Sequence, residues 1–422
     1  MPSIDTQPGS DPHHTYAADL AGIYADVAAR DITERNPIVF IPGIMGSKLV
    51  DTDSAQSVWG DFSRLYANPT QSENRRLIAL PMEPGRPLDE LVSTTEADGA
   101  LGVARPRRLP FMVGAYRDML QSIGIGAAES SARHRPDFAG AGAFASFEFG
   151  YDWRRSLDEA ARKLGEFLRL ATFFVQAARG NTEPVKFDIV AHSMGGLVLR
   201  YYLRYGMQRL PYDGSLPRLT WAGSERVSRA VIIGTPNAGS SIAIERLVAG
   251  LPAKSLIHPG FDPFIVGTMP ALYQLLPRTR HATFVNAKNQ REEDLLDPDF
   301  WTSMSWGLAA DNSDRLLALQ LVGVDSAGER RRIAHDHLAK CLLNAKTFHA
   351  AMDLPAEPPD ALELHLIAGD AHLTPAKLTG MPGIPRINIV QKAAGDGTVL
   401  RSSALLDERA AGTRHERVIT PI

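Results

Sequence analysis

Cysteine is nearly absent from this sequence. Cys341 is the only cysteine among 422 residues, so no disulfide can form within the chain. Long apolar runs are absent too: residues 1–14 are polar, without the apolar core of a cleavable signal, and no later segment stays apolar for the roughly 20 residues that a bilayer crossing needs. We therefore expect a cytoplasmic protein, and export by a route that reads no cleavable signal stays open.

An excess of positive charge is also lacking. Lysine and arginine number 45 against 48 aspartates and glutamates, for a net charge of −3. This balance gives no excess of positive charge that would attract nucleic acid, so no nucleic-acid partner is predicted. His335-Asp336-His337 is by itself a weak pattern for metal ligands, and no better cluster stands out. We predict neither a metal nor another cofactor.

One serine is set apart by its surroundings. Val185, Phe187, Ile189 and Val190 form a short apolar stretch rich in β-formers, as in a buried parallel strand. Apolar residues at helical spacing follow Gly196. Ser193 lies where the two patterns meet, and such an elbow exposes a nucleophilic hydroxyl. The residues two before and two after must be small, a demand that Ala191 and Gly195 meet. The alternative is an ordinary turn with a capping serine.

Strands and helices alternate along most of the chain, which predicts an α/β fold with a mostly parallel central sheet covered by helices on both faces. Residues 1–35 are expected to be an N-terminal extension with a short helix, and residues 36–422 the main domain. Within that domain, the Pro-rich residues 48–110 are predicted to be an irregular insertion or lid. Residues 240–352 lack the alternation of strands and helices, which predicts a helical cap. Strands at 362–368 and 387–390 are then expected to complete the sheet.

A nucleophilic serine needs a histidine to take its proton and a carboxylate to orient that histidine. In sheets of this kind the chain order is serine, acid, histidine. Asp370 and Asp396 both follow predicted strands, and His415 is the only histidine after Asp396. The spacing favours Asp396, and Asp370 stays open at this point. His192 is predicted to point away from the reactive atom as a packing residue.

Two backbone amides are expected to stabilise the developing oxyanion. One belongs to the residue after the nucleophile, Met194, and the other to the glycine-punctuated loop of residues 42–47, with Gly43 and Ile44 as the best source. These glycines can also serve a turn alone.

The motifs together resemble the lecithin:cholesterol acyltransferase-like family of α/β-hydrolases, which includes lipases, phospholipases and acyltransferases. Six segments carry the resemblance, in the family's order: Ile38 to Leu49, Tyr151-Asp152-Trp153-Arg154, Ala191 to Gly196, Gly234 to Ser240, Met269 to Pro277, and Gly395 to Val399. The resemblance implies a triad of Ser193, Asp396 and His415, with Ile44 and Met194 as oxyanion donors, and it favours Asp396 over Asp370. With a single cysteine, the chain cannot form the disulfide that ties the lid of the secreted animal members.

The expected activity is hydrolysis of lipid or long acyl esters through an acyl-enzyme, with lipid as the partner and transient contact with a membrane surface. Aromatic and apolar cap residues are predicted to hold the acyl chain: Phe264, Leu272, Tyr273, Trp301 and Trp306. Three alternatives remain: an acyltransferase that uses an alcohol as acceptor, a catalytically dead scaffold that acts as a binding protein, and an exported lipase directed at other cells.

Overall fold

The computed structural model describes residues 35–60, 71–100, 116, 146–252, 260–311 and 313–406. His415 and the predicted N-terminal helix lie outside these described residues. No helix in the described ranges is both long and apolar enough to cross a bilayer.

The strands of the described residues are numbered in chain order. They are β1 (Ile38–Ile41), β2 (Ser47–Asp51), β3 (Ser57–Trp59), β4 (Thr95–Ala100), β5 (Ser146–Glu148), β6 (Phe187–His192), β7 (Val227–Ile233), β8 (Phe284–Asn286), β9 (Glu363–Ile367), β10 (His372–Gly380) and β11 (Asn388–Gly395).

The α-helices of the same residues are numbered likewise. They are α1 (Ser72–Ile78), α2 (Leu157–Arg179), α3 (Met194–Tyr205), α4 (Ser241–Ala249), α5 (Pro263–Val266), α6 (Pro270–Gln274), α7 (Pro298–Met304), α8 (Asp314–Gln320), α9 (Ala327–Asp353) and α10 (Arg401–Leu405).

The central sheet has five strands, all parallel, in the order β5, β1, β6, β7, β9. Its inner strands are apolar because helices cover the sheet: Val39, Phe40 and Ile41 in β1 are fully buried, as are Phe187 and Ile189 in β6. Helix α2 buries leucines and alanines at helical spacing and packs beside α3. The predicted α/β-hydrolase architecture, a mostly parallel sheet surrounded by helices, is confirmed.

A second sheet lies in the segment predicted to be an irregular insertion. Strands β3, β2 and β4 pair antiparallel, so residues 47–100 contain regular structure that the sequence reading missed. Two tryptophans donate hydrogen bonds to the backbone just after β1, and Trp59 belongs to this second sheet. Trp153 donates its indole N–H to the carbonyl of Ser47 at 3.2 Å, and Trp59 donates to the carbonyl of Met45 at 2.9 Å.

The end of the chain departs from the predicted sheet order. Strand β9 joins the central sheet, as expected, but residues 387–390 do not. They enter β11, which pairs antiparallel with β10 in a separate sheet that β8 completes. The apolar pattern of a strand does not say which neighbour it pairs with, because that choice depends on the turn that precedes it.

The segment between β7 and β9 is mainly helical and packs against α2 through a buried polar contact. Gln274 at the end of α6 is fully buried, accepts a hydrogen bond from the amide of Leu157 at 2.8 Å and donates to the Ser156 hydroxyl at 2.8 Å. That hydroxyl also donates to the Asp158 carboxylate, and no side-chain cap bond forms at the start of α2. The sequence Ser156-Leu157-Asp158-Glu159 predicts a capping box at the start of this helix. The helix does begin there, but the prediction of the capping box is wrong.

Candidate active site

Ser193 occupies the sharp turn between β6 and α3. Its backbone has φ 53° and ψ −126°, a conformation that a residue with a side chain adopts only when its surroundings enforce it. The Ser193 amide donates to the carbonyl of Ile233 at the end of β7, at 2.8 Å, and the Ser193 carbonyl accepts from the Thr235 hydroxyl at 2.8 Å. These bonds hold the serine at the carboxyl end of the sheet, in the strained turn typical of a nucleophile elbow.

The small residues around the serine are required by the crossing of strand and helix. A Cβ added to Gly195 would lie 2.4 Å from the carbonyl oxygen of Pro42, and one added to Gly196 would lie 2.0 Å from the hydroxyl oxygen of Thr235. Ala191 is fully buried in β6. The sequence reading anticipated the demand at 191 and 195. It missed the demand at 196, which arises from the segment after β7.

The loop after β1 approaches Ser193 closely at Gly43. A Cβ on Gly43 would stand 3.3 Å from the Ser193 hydroxyl oxygen, and the Gly43 amide donates to the hydroxyl of Tyr116 at 3.0 Å. In the described residues, the Ile44 amide makes no hydrogen bond. The Met194 amide, the first of α3, has no acceptor within its helix. The Gly43 amide therefore already has an acceptor, and the Ile44 amide can donate to another group.

The Tyr151-Asp152-Trp153-Arg154 segment holds this loop from behind. Tyr151 donates its hydroxyl to the carbonyl of Pro42 at 3.0 Å, and its amide donates to the Ser47 hydroxyl at 3.0 Å. Burial raises the pKa of Tyr151 well above its ordinary value, so the phenol keeps the proton that it donates.

Arg154 forms a fully buried ion pair with Asp152 at 2.7 Å and donates to the carbonyl of Ile78 at 3.1 Å. Burial alone would raise the pKa of Asp152, but the adjacent guanidinium outweighs it and lowers that pKa. The arginine thereby joins the core of the domain to the backbone at the end of α1, and neither residue of the pair lines the cavity at the serine.

Asp396 lies in a tight turn after β11. One carboxylate oxygen, Oδ1, accepts from the amides of Thr398 at 2.8 Å and Val399 at 2.7 Å. The other oxygen, Oδ2, lies 3.3 Å from where a Cβ of Gly234 would be, at the end of β7. Within the described ranges no hydrogen bond uses Oδ2, so it can accept one from a histidine. His415 lies outside those ranges, and Asp370 is an exposed residue after β9.

The segment after β7 connects the elbow with the aspartate turn. Beyond the Thr235 bond to Ser193, the Ser240 hydroxyl donates to the carbonyl of Thr398 at 2.6 Å, and the Asn237 side-chain amide donates to the carbonyl of Ala404 at 2.6 Å. Serine and aspartate are thus fixed through one short stretch of backbone, although they are distant in sequence.

His192 packs against Tyr116 and the loop after β1. Its Nδ1 lies 2.8 Å from the Tyr116 hydroxyl and 3.3 Å from the would-be Cβ of Gly43, so the ring faces the loop after β1. Burial lowers the pKa of His192, and the charge of Asp396 opposes that effect. Tyr116 escaped the sequence reading because a single tyrosine in a helical pattern carries no distinctive signal.

An apolar cavity of about 140 Å³ opens at Ser193. Its wall combines the loop after β1, the segment after β7, the cap and the aspartate turn, and almost no polar surface faces it. The residues that line it are Ile44, Met45, Trp153, Ser193, Pro236, Ser240, Ile242, Ala243, Arg246, Leu251, Phe261, Val266, Met269, Leu272, Leu275, Thr398 and Val399. An apolar wall of this kind suits a hydrocarbon group, whose binding strengthens with the apolar area that it buries.

Of the five cap residues predicted to hold an acyl chain, the structure places Leu272 on this wall. Phe264, Tyr273, Trp301 and Trp306 are buried in the packing of the cap instead. Tyr273 donates to the carbonyl of Gly267 at 2.9 Å, Trp301 to that of Leu295 at 2.9 Å, and Trp306 to that of Ile384 at 2.8 Å. Large aromatic side chains give the same sequence signal in a cap's own core as in a binding wall.

Comparison with solved structures supports the fold. A chain from the crystal structure of the Tle4–Tli4 complex is 16% identical over 90% of each chain, with a TM-score of 0.54. Siderophore hydrolase EstB from Aspergillus fumigatus is 14% identical and covers 52% of this chain and 75% of its own, but its TM-score of 0.19 is too low to bear on the argument. A comparison with curated protein sequences finds no match.

A family model, lecithin:cholesterol acyltransferase, matches residues 145–309. The match includes the Tyr151 to Arg154 segment, the serine elbow, the segment after β7 and part of the cap. The loop after β1 and the aspartate turn lie beyond it. Over the matched segment, this chain is similar to the lecithin:cholesterol acyltransferase family of α/β-hydrolases, as its motifs predict.

Proposed function

We propose that this protein is a serine ester hydrolase that acts on lipid or long acyl esters through an acyl-enzyme. The observation that carries the proposal is the strained Ser193 turn at the mouth of an apolar cavity that also includes Ile44 on its wall. The family match over residues 145–309 supports an enzyme of the lipid ester hydrolase or acyltransferase kind.

The chemistry follows from the positions of the described groups and from His415, which completes the proposed triad. His415 takes the Ser193 proton, and the Asp396 Oδ2 atom orients the imidazole and stabilises its charged form. The alkoxide attacks the ester carbonyl, and the amides of Ile44 and Met194 donate to the oxyanion. The alcohol leaves with the proton from His415, and water then clears the acyl group by the same steps in reverse order.

The proposed domain organisation is the one predicted from the sequence. Residues 36–422 form one hydrolase domain, with residues 48–110 as its insertion and residues 240–352 as its cap. The acyl chain lies in the cavity between the sheet and the cap, and lipid is the substrate class because the wall offers hydrocarbon contact and almost no polar group.

The test compares wild type, Ser193→Ala and the control Ser215→Ala on p-nitrophenyl esters. Ser215 is an exposed loop residue that bonds only to the neighbouring Asp213. We expect Ser193→Ala to lower kcat by about 10⁴-fold or more. A fluorophosphonate should label wild type and Ser215→Ala but not Ser193→Ala. Ester hydrolysis that persists in Ser193→Ala would count against the proposal, and an unlabelled, inactive wild type would favour a dead scaffold.

Chain length provides an independent measurement. Each buried methylene contributes about 0.8 kcal/mol, which is about fourfold in kcat/KM. An apolar cavity of ~150 Å³ holds a benzene-sized group, so we expect the rise to extend over about six carbons and then flatten. Ala243→Leu adds bulk to the wall and should move the optimum to shorter esters. A flat profile in wild type would contradict a hydrocarbon-binding cavity.

A second candidate is an acyltransferase, which the name of the matched family favours. The chemistry up to the acyl-enzyme is the same, and an alcohol replaces water in the last step. Measuring how the acyl product divides between free acid and new ester, with a long-chain alcohol present, separates the two activities.

A further inference from the structure

The Tyr116 hydroxyl lies between the loop after β1 and the elbow. It accepts a hydrogen bond from the Gly43 amide at 3.0 Å and lies 2.8 Å from the Nδ1 atom of His192. When the neutral His192 ring carries its proton on Nε2, its Nδ1 atom accepts the one proton that the phenol can donate. The two bonds therefore run in one direction, from Gly43 through Tyr116 to His192.

This direction goes with one tautomer of His192. An Nδ1 atom that accepts from Tyr116 leaves the proton of the neutral ring on Nε2. The Nε2 atom lies 4.0 Å, and Asp396 Oδ2 3.3 Å, from one point beside Gly234, the position of its would-be Cβ. Among the residues that the structure describes, the charged and titratable groups that face the ring are Tyr116 and Asp396.

The ring of Tyr116 is itself held in place. It packs against Phe40 of β1 with ring centroids 5.2 Å apart, and edge-on against His192 with centroids 5.5 Å apart. The tyrosine is buried, which raises the pKa of its phenol and keeps it protonated. Because these ring contacts fix the position of Tyr116, its hydroxyl is held where it accepts from the Gly43 amide.

The consequence concerns the amide next to Gly43. With its own N–H occupied, Gly43 cannot turn that N–H toward the nucleophile, and the loop presents the Ile44 amide alone. Because Gly43 approaches within contact distance of Ser193, a small rotation of the loop would move both amides relative to the serine oxygen.

We infer that Tyr116 and His192 are positioning residues that hold the oxyanion loop against the Ser193 elbow. This inference rests on the proposed acyl transfer at Ser193. It assigns neither residue a contact with substrate; both act through the Gly43 amide and the geometry of the Ile44 N–H.

The first test removes only the hydroxyl. In Tyr116→Phe we expect kcat on p-nitrophenyl esters to fall about 10-fold to 100-fold, somewhat less than the loss of an oxyanion donor itself, with KM within about threefold. Fluorophosphonate labelling of Ser193 should slow in parallel, because the phosphoryl oxygen of the probe accepts hydrogen bonds from the same amides. The matched control is Tyr212→Phe, an exposed tyrosine on a surface loop, which should match wild type.

The second test uses His192 and holds even if Tyr116→Phe folds poorly. His192→Asn keeps an acceptor near the Nδ1 position, whereas His192→Leu does not. We expect kcat of His192→Asn to approach wild type and that of His192→Leu to fall as in Tyr116→Phe. Equal kcat in both variants, or full kcat in Tyr116→Phe, would overturn the inference. A wild type whose activity does not depend on Ser193 would instead overturn the proposed function.

Discussion

The hydroxyl of Thr235 donates a hydrogen bond to the carbonyl of Ser193 at 2.8 Å, across the gap between β7 and the elbow. The same oxygen occupies the space beside Gly196, where a Cβ would come within 2.0 Å of it. One threonine thus fixes the backbone of Ser193 and excludes any side chain at position 196.

The first prediction is that Gly196→Ala lowers both stability and activity. The added methyl must displace Thr235, and overpacking of this kind costs about 1–3 kcal/mol. Loss of the Thr235 bond also releases the Ser193 carbonyl. Urea unfolding and p-nitrophenyl ester kinetics measure the two effects.

The control for this substitution is Gly328→Ala in α9, where the nearest neighbour of an added Cβ is 3.6 Å away. Replacing a helical glycine that has space should stabilise the protein by about 0.5–1 kcal/mol. Equal stability changes of the two variants would show that contact with Thr235 does not limit position 196.

A second prediction separates the two aspartates. In Asp396→Asn, the side-chain oxygen can still accept from the amides of Thr398 and Val399, so the turn should survive. The position of Oδ2 would then carry an N–H, which cannot accept from a histidine and favours the wrong tautomer. We expect kcat to fall about 10³-fold to 10⁴-fold with unchanged unfolding.

Asp370→Asn alters an exposed carboxylate of the same type and should stay within about twofold of wild type. If Asp370→Asn proved the more damaging of the two, the acid of the proposed triad would have to be reassigned.

The third prediction concerns the buried pair of Asp152 and Arg154. Arg154→Met leaves a carboxylate buried without its partner, which typically costs about 3–5 kcal/mol. The double variant Asp152→Asn/Arg154→Met should recover part of that loss, because no charge is then left unpaired. Urea unfolding gives both values.

Arg209→Met is the matched control. Arg209 pairs with Asp89 at 2.9 Å, but its side chain is 59% exposed, and such pairs contribute about 0–1 kcal/mol. A cost for Arg154→Met no larger than for Arg209→Met would contradict a structural role for the buried pair.

A fourth prediction is that acid weakens the cap through two histidines of α9. His337 and His349 each lie within hydrogen-bond distance of a carbonyl through Nε2, of Thr268 at 3.0 Å and Gln274 at 2.9 Å. Burial lowers the pKa of His337 to about 4 and that of His349 well below its ordinary value. Because the folded-state pKa is depressed, the contribution is full above pH 6.5 and is lost as pH falls toward 4.

For His337 the loss amounts to about 3 kcal/mol at the acid end. The free energy of unfolding in urea should decline between pH 6.5 and 4, and His337→Gln, which retains a donor for Thr268, should decline less steeply. His335→Gln changes a half-buried histidine of the same helix and should keep the wild-type slope. Parallel pH profiles for all three proteins would contradict the prediction.

The sequence predicted what local pattern determines. The apolar residues 38–41 and the run 227–233 each predict a buried strand, and the structure has β1 and β7 at these positions. The small residues at 191 and 195 followed from the geometry of the turn itself. These features depend on neighbours in sequence, so the sequence alone could give them.

The remaining features depend on partners distant in the chain. The Ser156 hydroxyl bonds to the side chains of Asp158 and Gln274 rather than to a backbone amide of the helix it begins. Strand β11 pairs with β10 rather than with the central sheet. Tyr116 meets His192 across 76 positions. No spacing rule identifies such a contact, because each partner is ordinary on its own and only the tertiary fold brings the two together.

The backbone of Ser193 has a consequence for how this protein can evolve. A residue with φ 53° and ψ −126° carries a conformational cost of about 1–3 kcal/mol that glycine would escape. Under the proposed function, thermal stability and turnover therefore oppose each other at this one position. Selection for thermal stability alone would favour glycine there, which would remove the hydroxyl that the proposed chemistry needs.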